Sequence, residues 1–232
     1  MVLFQNDWSR LVQIFIIGLF LCGIFLFISI KILTRNRNRL TLTLSGFYLS
    51  SAAGFLINAI YSVLRINPIV YILLFITYFL VIFSLIFLVS FLLNLVYVYV
   101  NWKKQIIIIL SFGILLFLVL SIPGGITINE ETNWSPIYSW PLTFGVIILV
   151  SICIVIPTII LSIKMYKIFE DKNLKKKLQY FLVGIFGIIV LAYGVFLNFA
   201  LNDPEFNIIW SYIGLLVIPF AFMIYYGIGH SI

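Results

Sequence analysis

The long apolar stretches of this 232-residue chain lack charge. Only 9% of the residues are charged, whereas 64% are hydrophobic and 18% are aromatic. An ordinary soluble domain is roughly 45–50% apolar and about 25% charged, so this chain has too little polar surface to cover a globule in water. Lipid must be the solvent for much of it, and an unpaired backbone group in lipid costs several kcal/mol. The membrane spans must therefore be helices or strands of a closed barrel.

The apolar stretches also lack the strict alternation of a barrel strand, which favours helices. The sequence predicts an all-α integral membrane protein, a seven-transmembrane helix bundle that forms a single domain over residues 1–232 without a soluble domain. A helix needs roughly 20 residues to cross the hydrocarbon. The predicted spans are Leu11 to Ile30, Leu40 to Leu64, Ile69 to Val100, Ile106 to Ile122, Ile137 to Ile163, Leu178 to Leu201 and Ile208 to Ile228.

No Asp, Glu, Lys, Arg or His lies at membrane depth in these spans. Ionisable residues inside a membrane mark proton relays and ion paths, so their absence argues against a proton-coupled pump. The seventh span has no lysine for a retinal Schiff base. The single histidine, His230, lies at the end of the chain's last span, which leaves no zinc ligand set and no buried Ser–His pair. We therefore expect no enzyme activity, no metal and no cofactor.

Basic residues occupy alternate loops. Twelve of the 14 Lys and Arg residues are Lys31, Arg35, Arg37, Arg39, Lys103, Lys104, Lys164, Lys167, Lys172, Lys175, Lys176 and Lys177. Five of the seven acids lie in the remaining loops and at the N-terminus, namely Asp7, Glu130, Glu131, Asp203 and Glu205. The positive-inside rule then places the N-terminus outside and the C-terminus in the cytoplasm of a multi-pass protein of the cell membrane.

The net charge of +7 is not the footprint of a nucleic-acid-binding protein. The basic residues flank the spans as doublets and short runs and do not line a groove with stacking aromatics. Anionic lipid headgroups at the cytoplasmic face are the expected partner, at about 1 kcal/mol per Lys or Arg near the surface. The sequence therefore predicts the lipid bilayer as a partner and no nucleic acid.

Small and polar residues recur every four positions along the second span, at Gly46, Ser50, Gly54, Asn58 and Ser62. This spacing places them on one ridge of a helix, and small residues let helix backbones approach closely. The favoured interpretation is a packing seam, and the alternative is that Asn58 and Ser62 line a ligand pocket. Glycines of the sixth span invite the same two interpretations, with packing again favoured, at Gly184, Gly187 and Gly194.

Two prolines and three deep polar residues complete the list of candidates. Pro157 in the fifth span and Pro219 in the seventh each remove a backbone hydrogen bond, so they are hinge candidates, with a purely structural kink as the alternative. Tyr78, Tyr193 and Asn198 lie deeper than an interfacial aromatic belt requires. They are the predicted lining of a ligand pocket in the outer half.

Two segments resemble a known family. Residues 175–184, Lys-Lys-Lys-Leu-Gln-Tyr-Phe-Leu-Val-Gly, resemble the basic-Gln-apolar-Gly entry to the sixth helix in the N-terminal seven-helix sensor regions of some prokaryotic histidine kinases. The closing run 217–228, which contains Pro219, is similar to the last helix of those regions. The resemblance implies an input module. It also implies either an output domain in a longer protein or a separate cytoplasmic signalling partner.

Two classes of function remain. The first is a sensor or receptor-like signalling module that detects a ligand or a membrane state in its outer half. The second is an uncoupled transporter or channel for a neutral or lipid-like molecule. The missing intramembrane charges favour the first, as does the absence of visible internal repeats. A charged ligand buried among these spans would find no counter-charge, so the predicted ligand is neutral or amphipathic.

Overall fold

The structure is a computed structural model that describes residues 18–35, 37–97 and 101–229, with the side chains of 228 and 229 excepted. It is a helical bundle with one short β-hairpin. The helices are α1 Leu19–Arg35, α2 Arg39–Tyr61, α3 Ile69–Val96, α4 Trp102–Leu120, α5 Trp140–Val150, α6 Ile156–Ile168, α7 Lys172–Leu201, α8 Pro204–Gly214 and α9 Val217–Ile224. The strands are β1 Ile126–Thr127 and β2 Ile137–Tyr138, and π-helical turns occupy Ser151–Val155 and Tyr225–Gly229.

Six helices in the described part of the chain are long and apolar enough to cross a membrane. They are Arg39–Tyr61, Ile69–Val96, Trp102–Leu120, Trp140–Ile168, Lys172–Leu201 and Pro204–Gly227. The all-α, multi-pass class that the sequence predicts is confirmed at this level. The predicted first span, residues 11–30, lies partly outside the described residues; from Leu19 onward it belongs to α1, which continues past the predicted end at Ile30 to Arg35.

Three spans begin more than one residue earlier than the hydropathy of the sequence predicts. Their observed starts are Trp102, Lys172 and Pro204, against the predicted Ile106, Leu178 and Ile208. Each start follows a capping side chain, Asn101, Asp171 or Asp203, that accepts a hydrogen bond from a backbone N–H two residues further on. A cap stabilises the first helical turn even where the residues of that turn are charged. The lysines at 103, 104, 172 and 175–177, which the predicted spans leave in loops, are therefore helical.

Other boundaries differ because turns and strands intervene. Helices α2, α3 and α4 end at Tyr61, Val96 and Leu120, against the predicted Leu64, Val100 and Ile122, and residues 98–100 lie outside the described part. Ile137, the predicted start of the fifth span, instead pairs with Thr127 in the hairpin. The helix begins after Ser139, whose hydroxyl accepts a hydrogen bond from the Leu142 amide, and continues past the predicted end at Ile163 to Ile168.

The connections between helices separate by charge. At one end, the Asn67 side chain donates a hydrogen bond to the Ile128 carbonyl, 3.4 Å away. We call this the acidic end, because it includes the loops with Glu130, Glu131 and Asp203. At the opposite end, which we call the basic end, the Lys164 ammonium donates to the Tyr97 hydroxyl at 2.7 Å. Cations and aromatic rings also meet there in the pairs Lys31–Tyr225, Arg39–Trp102 and Lys175–Tyr166.

The centre of the bundle is filled with side chains. Phe25, Tyr48, Phe91 and Phe181 are 2% exposed or less, and the Tyr48 hydroxyl donates to the Ala221 carbonyl at 2.9 Å, joining α2 to α9. Large apolar side chains cover the outside, as in α4, where Ile107, Leu110, Ile114 and Leu118 are all exposed. An apolar exterior around a packed core fits lipid as the surrounding solvent.

Candidate ligand-binding site

A cavity of about 140 Å³ lies at the acidic end, where α7 turns into α8. Asn202 makes the turn in the left-handed conformation, with φ 49°, which asparagine tolerates better than most residues. Asp203 then caps α8, since its carboxylate accepts hydrogen bonds from the amides of Glu205 at 2.8 Å and Phe206 at 3.1 Å. The cavity is lined by Ser135, Asn198, Phe199, Asn202, Asp203, Pro204 and Asn207.

Asn198 is the most deeply buried amide of this lining. It is 6% exposed, and its Nδ2 donates a hydrogen bond to Oδ1 of Asn207 at 3.2 Å. Its own Oδ1 is buried and has no hydrogen-bond partner among the described residues. A buried acceptor without a partner costs about 1–3 kcal/mol, and folded proteins retain few of them. This oxygen has almost no accessible surface, so it is closed off from the cavity.

The aromatic residue of the lining, Phe199, belongs to a cluster of four rings inside the bundle. Phe199 lines the cavity, and its ring centroid lies 5.2 Å from that of Tyr138 and 6.4 Å from that of Tyr78. Phe196 completes the cluster at 5.3 Å from Tyr138. Burial raises the pKa of Tyr138 well above its ordinary value, with a smaller contribution from neighbouring Tyr78, so the phenol stays neutral.

Among the five predicted ligand-binding residues, Asn198 lines this cavity, whereas Tyr78 does not line it and only pairs with the ring of the lining residue Phe199. The Tyr193 hydroxyl is instead 2.7 Å from the Ser151 hydroxyl and 3.3 Å from the Ile147 carbonyl, so it joins α7 to the kinked helix. Ser62 donates to the Ala59 carbonyl of its own helix at 2.8 Å. Neither Ser62 nor the half-buried Asn58 lines the cavity.

Four polar residues that line the cavity were not predicted from the sequence, namely Ser135, Asn202, Asp203 and Asn207. Asn-Asp-Pro at 202–204 is the signature of one helix ending and another beginning, and this signal locates the turn. Ser135 comes from the hairpin loop, far from the others in sequence. Helical periodicity carries no information about such a meeting of distant segments.

The ridge of small residues on α2 lies against α3. A Cβ on Gly46 would be 2.9 Å from the Phe87 ring, and a Cβ on Gly54 would be 2.6 Å from Cγ2 of Val81. Between them, the Ser50 hydroxyl donates to the Leu80 carbonyl at 2.8 Å. Close backbone approach together with a side-chain hydrogen bond is typical of a packing seam in membrane helices.

The glycines of α7 face the last, broken helix. A Cβ on Gly184 would be 2.7 Å from the Phe220 carbonyl oxygen, and a Cβ on Gly187 would be 2.6 Å from the Phe220 ring. Further along, the Trp210 indole occupies the space that a Cβ on Gly194 would need. These three glycines therefore let α8 and α9 lie directly on the backbone of α7.

Both hinge candidates lie at interruptions of a helix. Pro157 is near the start of α6, directly after the π-helical turn Ser151–Val155. Pro219 follows the break between α8 and α9, where the Ile218 amide donates to the Leu215 carbonyl at 3.1 Å. Since proline has no amide hydrogen, each position can accept the altered hydrogen-bond pattern around it.

Among the described residues, no group of three or more His, Cys, Asp or Glu side chains lies close enough together to bind a metal ion. Comparisons with protein-family models, curated proteins and solved structures find no match for this chain. The function must therefore be argued from the cavity, the aromatic cluster beside Phe199 and the helices that lead away from it.

Proposed function

We propose that this chain is a seven-transmembrane sensor or receptor-like signalling module of the cell membrane. It detects a neutral or amphipathic ligand, or a state of the membrane, at the acidic end, which faces outward. It relays the signal to the basic end, where a cytoplasmic signalling protein or an output domain receives it. The proposal assigns no catalytic step to the chain.

The observation that carries this proposal is the shape of the cavity. Its lining is mostly polar, and Phe199 connects it to a cluster of aromatic rings inside the bundle. Further into the bundle, the fully buried Phe91 and Phe181 are in ring contact, with centroids 5.3 Å apart. A cup with a packed base supports ligand detection better than passage of a solute across the membrane.

A physical route leads from this cup to the basic end. Helix α7 is unbroken from Lys172 to Leu201, so a shift of its cavity end moves the whole rod. Its Gly184 lies against the Phe220 backbone, and Gly227 lies against the backbone of Phe181. Backbone contacts of this kind respond to small displacements because no flexible side chain absorbs them. Helices α7 and α9 are thus the proposed relay.

The resemblance of residues 175–184 and 217–228 to the sensor regions of prokaryotic histidine kinases supports the same direction of signalling. Lysines at 172 and 175–177 stand on the first turns of α7, close to anionic headgroups if the basic end is cytoplasmic. Under the proposal, this first section of α7 is the contact for the signalling partner.

The proposal can be tested without a known ligand by filling the cavity covalently. In a chain with Cys22→Ala and Cys153→Ala, we would place a cysteine at Ser135, which lines the cavity, and attach an ethyl group with ethyl methanethiosulfonate. Hydrogen exchange in nanodiscs then reports on residues 156–168 and 217–229. We expect amide exchange rates in these two segments to change by about fivefold or more, because allosteric couplings usually change an equilibrium by at least about fivefold.

The matched control is a cysteine at Ser121, an exposed serine of the acidic end that does not line the cavity. Its modification should leave the basic end unchanged. An unchanged basic end in both labelled proteins contradicts the relay. In that case, flux of glycerol or of labelled lipid in protein-containing vesicles, above that of protein-free vesicles, would establish the alternative, an uncoupled transporter or channel.

A further inference from the structure

We infer that α8 is a movable wall of the cavity and has two positions on α7. In the observed position, the Trp210 indole lies on Gly194. In the second position, the indole N–H of Trp210 donates a hydrogen bond to Oδ1 of Asn198. This inference rests on the proposed function and deepens it, because it names the element that moves when the cavity is filled.

The contact between α7 and α8 contains one unpaired donor and one unpaired acceptor. Neither Nε1 of Trp210 nor Oδ1 of Asn198 has a hydrogen-bond partner among the described residues, and both atoms are buried. Buried polar atoms without a partner are costly, and folded proteins retain few of them. A movement that pairs these two atoms with each other removes both costs at once.

The two unpaired atoms belong to neighbouring contacts of the same pair of helices. Nδ2 of Asn198 donates to Oδ1 of Asn207 at 3.2 Å, and Trp210 lies on Gly194. Gly194 and Asn198 are one turn apart on α7, and their partners are about one turn apart on α8. Residues at this spacing have Cβ atoms about 5–6 Å apart. A shift of α8 by less than one helical turn therefore brings the indole N–H to Asn198.

The helix α8 is built in a way that permits such a shift. It runs from Pro204 to Gly214, and none of its residues is buried. At one end, Asn202 makes the left-handed turn, with φ 49°. At the other end, the amides of Leu215 and Leu216 donate to carbonyls only three residues back, at 3.1 and 2.9 Å. A short helix with an interruption at each end can move as a rigid body, because the terminal residues absorb the change.

The two positions are balanced because each uses one hydrogen bond of the Asn198 amide. In the observed position its NH₂ group donates to Asn207, and in the second its oxygen accepts from Trp210. Asn198 and Asn207 both line the cavity. A molecule in the cavity that contacts them better in one position shifts the balance towards that position.

NMR of the indole N–H groups tests for the second position in protein that is labelled with ¹⁵N-tryptophan and held in nanodiscs. Trp210→Phe identifies the signal of Trp210. We expect two signals from this residue, or one signal broadened by exchange on the microsecond-to-millisecond timescale. Asn207→Ala removes the hydrogen bond of the observed position at an exposed residue. It should raise the ratio of the second position to the first by about threefold to tenfold, as the loss of one hydrogen bond implies.

Two further variants should shift the balance in opposite directions. Gly194→Ala places a methyl group where the indole lies, so only the second signal of Trp210 should remain. Asn198→Leu removes the acceptor, so only the first signal should remain. The control is Gly23→Ala, at a glycine of α1 where a Cβ would have nothing within 4 Å, and it should leave the signals of Trp210 unchanged.

A single Trp210 signal, without exchange broadening and at the same chemical shift in the wild type and Asn207→Ala, would overturn the inference. A buried water that permanently joins the two atoms would give this result. A second signal that persists in Asn198→Leu would also overturn it. Because Asn207 is exposed, its variant keeps the test decisive if Gly194→Ala or Asn198→Leu fails to fold. The relay experiment measures amide exchange at the basic end and does not involve Trp210, so either experiment can fail alone.

Discussion

At the scale of single residues, Gly54 decides how closely α2 and α3 approach. A Cβ there would meet Val81 Cγ2 at 2.6 Å and the Thr77 carbonyl oxygen at 3.2 Å. Neither neighbour is the far end of a flexible chain. We expect Gly54→Ala to lower the free energy of unfolding by about 1–3 kcal/mol, the usual cost of overpacking, measured as thermal unfolding of the detergent-purified protein.

Gly23 supplies the control for this substitution. It is an exposed glycine of a helix, and a Cβ there would have nothing within 4 Å. Gly23→Ala should leave stability unchanged or raise it by up to about 1 kcal/mol, because alanine is the better helix former. Equal effects of the two substitutions would show that the ridge of α2 has no role in packing.

At the scale of helices, the contact between α7 and the kinked helix Trp140–Ile168 depends on a hydroxyl. Tyr193 reaches Ser151 at 2.7 Å, where the π-helical turn begins. Tyr193→Phe should cost about 0.6 kcal/mol, the mean for side-chain hydrogen bonds between membrane helices, and should speed amide exchange in residues 147–155. Tyr212→Phe, at a side chain that is 72% exposed, should alter neither stability nor exchange. If exchange in 147–155 is unaffected by Tyr193→Phe, the hydroxyl does not hold the π-helical turn.

The helices themselves could be predicted from hydropathy, because a run of apolar residues long enough to cross a bilayer is a strong signal. Their starts could not, since Asn101 and Asp171 extend α4 and α7 into segments that hydropathy assigns to loops. The π-helical turn was equally hidden, although Pro157 marks its neighbourhood. Local hydrogen bonds decide these features, and a hydropathy average does not contain them.

At the scale of the whole molecule, the orientation in the membrane remains a prediction from charge. In a chain with Cys22→Ala and Cys153→Ala, a cysteine at Asn133 should react with a membrane-impermeant maleimide on intact cells. A cysteine at Lys175 should react only after the cells are opened. Asn133 is exposed and Lys175 is partly exposed, so a failure to react reports on the side of the membrane. The opposite pattern would reverse the orientation and place the cavity in the cytoplasm.

The candidate site was predictable only in part. Asn198 could be found because an amide deep in an apolar span is unusual and expensive to bury. Tyr193 is polar and deep for the same reason, but its hydroxyl is used inside the protein. The cavity needs Ser135 from the hairpin loop and Asn207 from α8, and their proximity is a property of the folded bundle. A single sequence shows which polar groups lie in the spans, but it does not show which groups they contact in the folded protein.

The position of α8 has a practical consequence for work on this protein. None of its residues is buried, and it joins α7 through the Asn198–Asn207 amide pair and the contact of Trp210 with Gly194. We therefore expect lipid chains to form most of its surroundings. A short-chain detergent replaces that environment with a looser one, so purification in such a detergent would loosen the wall of the cavity before it unfolds the core. Nanodiscs are the medium in which the state of this wall should be measured.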